Sequence, residues 1–166
     1  MDSRRAAAAL ALAACAAVST GCGASSTTTA SQGASAASSV GETAAQKSAE
    51  QIKRAVRDVV ELRPVTSESD PNRILGKPNG YVAVTVLVDS RVHCSGSELG
   101  VDCGAVVEQW PDHRSAKERA EYVTSALQGM PGIEPEHQVV KGDLLLRVSG
   151  ELKPSAVHEY EKAFKH

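Results

Sequence analysis

The feature that most limits how this chain can fold is its N-terminal segment. Two arginines, Arg4 and Arg5, precede an almost unbroken apolar run at residues 6–18, which ends before Ser19. This run matches the apolar core of a secretory signal, about 7–15 residues, and is shorter than the roughly 20 that a membrane-spanning helix needs. We therefore predict that residues 1–21 are an export signal and that the remaining chain folds outside the cytoplasm.

The segment Ser19-Thr20-Gly21-Cys22 resembles the lipobox of bacterial lipoproteins, in which small residues precede a cysteine that becomes lipidated. A rival cysteine, Cys15, follows a segment that fits the usual lipobox better, but cleavage there leaves the apolar residues 16–18 at the start of the mature chain. We favour Cys22 and expect the protein to be lipid-anchored on the extracytoplasmic face of the cell membrane. Secretion without lipid is the main alternative.

Residues 22–45 have the composition of a tether. After Cys22 they are mostly Ala, Ser, Thr, Gly and Gln, with Glu42 as the one acid. Such a segment buries too little apolar surface to offset the entropy lost on ordering, so we predict a disordered linker. The remaining residues, 46–166, are long enough for one domain with its own core.

Charge and aromatic content argue against a nucleic-acid partner. The net charge of the full chain is −2, so the sequence has no excess of basic residues to neutralise a phosphate backbone. Aromatic residues make up only 3% of the chain, which leaves few rings on which bases could stack. We therefore expect the membrane, through the lipid, and an envelope protein as partners.

The first structural element is predicted to be a helix. Ser48 and Gln51 form a capping-box pattern at its start. Val59 and Val60 continue its apolar stripe at helical spacing, and Pro64 ends it.

Six further elements are predicted from apolar periodicity and turn residues. They are strands at 81–88 and 104–110, a helix at 113–127, strands at 136–140 and 144–149, and a helix from Pro154. The strand at 81–88 is apolar on most of both faces, which predicts an interior position in its sheet. The order αββαββα predicts an α+β fold: a four-stranded antiparallel sheet with the helices packed on one face.

Two cysteines fall within the predicted domain, at Cys94 and Cys103. Because an exported domain meets an oxidising environment, we predict a disulfide between them. A metal site that adds His93 and Asp102 has suitable ligand types but lacks the paired Cys-x-x-Cys spacing of zinc sites. We predict no metal and no cofactor.

Five residues are candidates for a polar binding site. Asp70 and Asn72 lie in a turn-rich loop, Asp89 and Arg91 follow the end of a predicted strand, and Trp110 is the only tryptophan of the chain. Four of them have a specific structural alternative: Asp70 as a helix cap, Asp89 and Arg91 as a salt bridge or turn cap, and Trp110 as packing at a junction.

The motifs Asp70-Pro71-Asn72, Leu75-Gly76, Asp89-Ser90-Arg91 and Val148-Ser149-Gly150 all occur within residues 46–164. In this pattern the chain resembles a set of small actinobacterial secreted lipoproteins of unassigned function. The resemblance implies a lipoprotein address and one compact domain, and it supplies no catalytic residues. The chain departs from the pattern in its two domain cysteines and in Lys153, where a threonine would be a better helix cap.

Sequence patterns for enzyme chemistry are missing: there is no Gly-x-Ser-x-Gly elbow, no Ser-x-x-Lys and no Walker loop. We therefore expect a non-catalytic binding or interaction module in the cell envelope. The alternative is a small envelope hydrolase with a site near Asp70–Tyr81 and Asp89–Arg91. This alternative requires Asp70, Asp89, Arg91 and a histidine to converge within hydrogen-bonding distance.

Overall fold

The computed structural model describes residues 41–94 and 99–166. The predicted export signal, the lipidation site Cys22 and nearly all of the predicted tether lie outside the described residues. The described residues form helices α1 (Ala44–Ala55), α2 (His113–Leu127) and α3 (Pro154–Lys165), and strands β1 (Val59–Pro64), β2 (Ala83–Asp89), β3 (Gly104–Gln109), β4 (His137–Lys141) and β5 (Leu144–Val148). A short 3-10 helix, Val101–Cys103, leads into β3.

The strands form one sheet in the order β1-β2-β3-β5-β4, and every neighbouring pair is antiparallel. The predicted α+β class with an antiparallel sheet is therefore confirmed. The predicted strand number is wrong, because the sheet has five strands rather than four. Strands β2 to β5 correspond to the four predicted strands, and β2 pairs on both sides, as its apolar faces indicate.

The additional strand, β1, comes from residues that the sequence pattern assigns to the end of the first helix. Helix α1 ends at Ala55, and Val59–Pro64 pairs with β2 from Val59↔Asp89 to Pro64↔Thr85. The helical spacing of Val59 and Val60 is a local signal. It contains no information about β2, the strand with which these residues pair. Valine is also β-branched, and β-branched residues are well suited to a strand.

The start of α1 also differs from the prediction. Thr43 Oγ1 accepts a hydrogen bond from the Gln46 backbone N–H (3.2 Å), and Gln46 Oε1 accepts one from the Thr43 backbone N–H (2.9 Å). This capping box starts the helix before Ser48, so the predicted box at Ser48 and Gln51 is wrong. Gln51 instead donates a hydrogen bond to the carbonyl of Ala163 in α3, at 2.6 Å.

The helices cover both faces of the sheet, which corrects the prediction that they pack on one face. Helices α1 and α3 pack on the face that carries Leu87, Val107 and Leu146; we call this the α1/α3 face. Helix α2 and the loop before β2 pack on the opposite side, the α2 face, against Val106 and Leu145. Interior strands with apolar residues on both faces need cover on both, so a single layer of helices leaves one apolar face in water.

Gly104, at the first position of β3, lies close to the backbone of β2. Its φ angle is +135°, and a Cβ placed there would lie 2.6 Å from Asp89 Cβ and 2.9 Å from the Leu87 carbonyl oxygen. Only glycine combines this backbone conformation with this proximity.

We expect Gly104→Ala to lower the free energy of unfolding by about 2–4 kcal/mol, because it adds both backbone strain and a steric clash. Gly142→Ala is the matched control: Gly142 also has a positive φ, +61°, but nothing within 4 Å of the added methyl. It should cost only about 1 kcal/mol. Urea unfolding followed by circular dichroism measures both, and equal losses would contradict this account of Gly104.

Candidate functional site

Asp70 organises the loop that runs from β1 to β2. It is 4% exposed, and its carboxylate accepts hydrogen bonds from the backbone N–H groups of Asn72 (3.0 Å), Ile74 (2.7 Å) and Leu75 (2.9 Å) and from the Tyr81 hydroxyl. These four donors wrap the loop around one charge. Asp70 therefore acts as a cap, one of the two roles that the sequence leaves open for it.

These bonds also change the acidity of Asp70. Burial opposes ionisation, but the hydrogen bonds from Tyr81 and from the loop backbone outweigh it, so the pKa of Asp70 lies below its ordinary value of 3.8. Burial and the bond to Asp70 raise the pKa of the Tyr81 hydroxyl, which stays protonated. Asn72 belongs to the same cluster, because its Nδ2 donates to Tyr81 Oη at 3.2 Å.

Asp89 and Arg91 lie on the other side of the sheet. The Asp89 carboxylate accepts hydrogen bonds from Arg91 Nε (2.9 Å) and Nη2 (2.7 Å) and from the Tyr160 hydroxyl of α3 (2.8 Å). Arg91 also contacts Asp58 (3.2 Å) and Glu159 (3.1 Å). The structure thus shows the salt bridge that the sequence offers as the alternative to a binding site, and it joins the end of β2 to α3.

The charges in this salt bridge stabilise each other. Burial opposes ionisation of Asp89, but the bonds from Arg91 and Tyr160 outweigh it and lower the pKa of Asp89. The bond to Asp89 raises the pKa of Arg91, and burial raises the pKa of Tyr160 further than the Asp89 bond does. All three groups therefore keep their ordinary charge states near neutral pH.

A buried charge network on the α2 face is absent from the sequence predictions. Glu108 of β3 is 1% exposed and accepts a hydrogen bond from Arg147 Nη1 of β5 at 2.8 Å. Arg147 in turn donates two parallel bonds of 2.7 Å to Glu136. Burial alone would lower the pKa of Arg147, but the two glutamates raise it instead. The sequence does contain a signal that could have predicted this network: Glu108 and Arg147 have opposite charges, and each lies inside an otherwise apolar strand.

Trp110 connects this network to the Asp70 loop. Its Nε1 donates to Glu108 Oε2 at 3.0 Å, and its ring contacts the Tyr81 ring edge-to-face, with centroids 5.6 Å apart and planes at 83°. Trp110 is itself buried. The structure therefore brings Asp70, Asn72 and Trp110 together around Tyr81 on the α2 face, and it places Asp89 and Arg91 elsewhere.

Among the recesses of the described residues, two border Tyr81 or Trp110. The inner recess, about 140 Å³, is lined by groups that include Asp70, Tyr81, Glu108 and Arg147. The carboxylates of Asp70 and Glu108 and the guanidinium of Arg147 are already hydrogen-bonded to one another or to neighbouring groups, and the recess has room for a few water molecules. A larger recess of about 320 Å³, which we call the Trp110 groove, lies between the loop and α2 and is bordered by Trp110.

The predicted disulfide between Cys94 and Cys103 is present. It ties the segment after β2 to the start of β3, and both cysteines pack with the apolar residues of the α2 face. Because both sulfur atoms are in the disulfide, they are not available as thiolates for the metal site considered with His93 and Asp102. Over residues 41–94 and 99–166, no cluster of three His, Cys, Asp or Glu side chains is arranged to bind a metal ion.

Comparison of the chain with protein-family models, with curated proteins and with solved structures finds no match. Among the described helices, none is both long and apolar enough to cross a bilayer. The case for a function therefore rests on the sequence and on the geometry of the site.

We expect Asp70→Asn to lower the free energy of unfolding at pH 7 by about 2–4 kcal/mol, because an amide cannot accept all four hydrogen bonds of the carboxylate. The lowered pKa adds stability that is present above the ordinary Asp value and is lost as pH falls through the folded value. Chemical unfolding should therefore show a shallower loss of stability for the variant than for the wild type below about pH 4.

Glu134→Gln serves as the control, because Glu134 is exposed and its carboxylate has no hydrogen-bond partner in the described part of the chain. This variant should keep both the stability and the pH profile of the wild type. A pH profile of Asp70→Asn that parallels the wild type below pH 4 would show that Asp70 is not ionised in the folded domain.

Proposed function

We propose that this protein is a lipoprotein anchored through Cys22 on the extracytoplasmic face of the cell membrane, and that its domain is a non-catalytic binding module. The apolar run at residues 6–18 and the small residues before Cys22 support the anchor. The resemblance to small actinobacterial lipoproteins supports the same address. Two or more acyl chains make such an anchor stable, so the domain acts at a membrane surface.

The main support for a non-catalytic role is that the two carboxylates required by the hydrolase alternative, those of Asp70 and Asp89, are already fully hydrogen-bonded within the domain. Asp70 accepts four hydrogen bonds from its own loop. Asp89 also accepts four, three from Arg91 and one from Tyr160. A carboxylate with a lowered pKa and fully used acceptor sites is a poor general base and is not free to attack a substrate. Both groups stabilise the fold instead.

The hydrolase alternative has no such support. It requires Asp70 and Asp89 to share a cleft, but Asp70 bonds to Tyr81 on the α2 face and Asp89 bonds to Tyr160 on the α1/α3 face. In the described residues, neither carboxylate has a histidine as a hydrogen-bond partner. The partner that best fits the proposal is an envelope protein at the same membrane surface.

The anchor can be tested by cell fractionation and by the intact mass of the purified protein. Wild-type protein should be found in the membrane fraction with the mass of acyl chains on Cys22 and without residues 1–21. Cys22→Ala should lose both the acyl mass and the membrane association. Cys15→Ala is the matched control and should behave as the wild type, whereas loss of the anchor in that variant would move the lipidation site to Cys15.

The binding function can be tested by chemical crosslinking in intact cells. Wild-type protein should crosslink to a small set of envelope proteins that is reproducible between preparations. Asp70→Asn and Asp89→Asn, if folded by circular dichroism, should retain these crosslinks because neither residue is proposed to contact the partner. The absence of any specific crosslinked protein from the wild type would contradict the proposal.

A further inference from the structure

The Trp110 groove differs from the inner recess in size and in chemistry. Its volume of about 320 Å³ is at the lower end of the range for ligand sites, about 300–1,000 Å³. The loop contributes Ile74 to its lining, α2 contributes Arg114, Arg119 and Tyr122, and Trp110 lies between them. Glu118 of α2 also lines the groove, which thus combines two guanidinium groups and one carboxylate with two aromatic rings.

Arg119 has hydrogen-bonding capacity that the described residues do not use. Its side chain is only 12% exposed. Its Nη2 donates to Asn72 Oδ1 at 3.4 Å, while its Nε lies 3.7 Å from Glu108 Oε2 and has no hydrogen-bond partner there. The Nε–H of Arg119 is therefore a buried donor that no acceptor in the described residues satisfies. Arg147, by contrast, donates three hydrogen bonds of 2.8 Å or shorter.

A mostly buried N–H donor without an acceptor destabilises the folded domain, and a ligand that supplies the acceptor removes this cost when it binds. The planar fork of a guanidinium matches the two oxygens of a carboxylate. Arg114 adds a second positive charge at the groove. Its ion pair with Glu118 is long, 3.5 Å, and both side chains are exposed, so this pair opposes a ligand only weakly.

Of the two aromatic residues at the groove, Trp110 is buried, whereas Tyr122 is open to solvent. Tyr122 is 65% exposed, and its ring centroid lies 5.7 Å from Arg119 Cζ. Tryptophan, tyrosine and arginine are the residue types that contribute most at protein interfaces. A small molecule in a ligand site is usually enclosed on most sides. Because Tyr122 is so exposed, a segment of a larger partner that covers its ring fits this groove better than an enclosed small molecule does.

We propose that the Trp110 groove binds an acidic peptide segment of a partner protein, with Arg119 contacting its carboxylate and Tyr122 and Ile74 contacting a neighbouring apolar side chain. This inference rests on the proposed binding function and assigns its site.

Trp110 reports on this site directly, because it is the only tryptophan of the chain and borders the groove. The test is a fluorescence titration of the mature lipidated protein in detergent with acetyl-Phe-Glu-Ala-amide. The emission should change saturably with this peptide, and the matched acetyl-Phe-Gln-Ala-amide should bind at least about tenfold more weakly. Absence of a saturable change, or equal affinity for the two peptides, overturns the proposal.

The variant Arg119→Lys keeps a positive charge beside Glu108 but loses the planar fork. It should bind the acidic peptide about tenfold more weakly than the wild type. Arg54→Lys is the matched control, since Arg54 lies on α1, across the sheet from the groove, and should leave the affinity unchanged. If Arg119→Lys fails to fold, Tyr122→Ala replaces it, because Tyr122 is exposed and its loss should weaken peptide binding severalfold.

Two further experimental outcomes would contradict the acidic-peptide site in the Trp110 groove without contradicting the proposed binding function. Binding of N-acetyl-phenylalanine but not of the acidic peptide would overturn the peptide assignment and identify a site for small free acids. Specific crosslinks in cells that are unchanged by Tyr122→Ala and Arg119→Lys would leave the binding module in place and show that another surface binds the partner.

Discussion

The Glu108 carboxylate is withdrawn from water on β3, the middle strand of the sheet. An unpaired buried charge is expensive, so the fold must bring partners to it from distant parts of the chain. Arg147 from β5 and Trp110 from the end of its own strand donate hydrogen bonds to it, whereas Arg119 of α2 lies 3.7 Å away and forms only an ion pair. Through the Arg119 ion pair and the contact of Trp110 with Tyr81, Glu108 is connected both to α2 and to the loop between β1 and β2, which border the Trp110 groove.

Two other buried carboxylates act in the same way elsewhere. Asp70 gathers backbone N–H groups and Tyr81 into one rigid loop, and Asp89 joins the end of β2 to α3 through Arg91 and Tyr160. Aspartates that look like candidates for chemistry in the sequence therefore have structural roles, because burial demands that each charge be fully bonded. A side chain whose donors are not all hydrogen-bonded, such as Arg119, is a better candidate for binding a ligand.

Several predictions succeeded because their signals are local. The bounds of α2 match the prediction because Asp112 caps its first turn, where its carboxylate accepts a hydrogen bond from the backbone N–H of Ser115. The disulfide followed from two cysteines close in sequence. The prediction failed at Val59 and Val60, where a helical spacing continues but pairing with β2 decides the structure, since pairing energy comes from residues far along the chain.

Local sequence patterns are enough to predict the α+β class, the interior position of β2 and every helix and strand from β3 to α3, because apolar periodicity, caps and turn residues act within short segments. The tertiary structure alone decided which face each helix covers, the fifth strand, and the separation of Asp70 from Asp89 onto opposite faces. It also decided that Glu108 and Arg147 meet. These features depend on strand order and on the need to neutralise buried charge, and neither is encoded in any single segment.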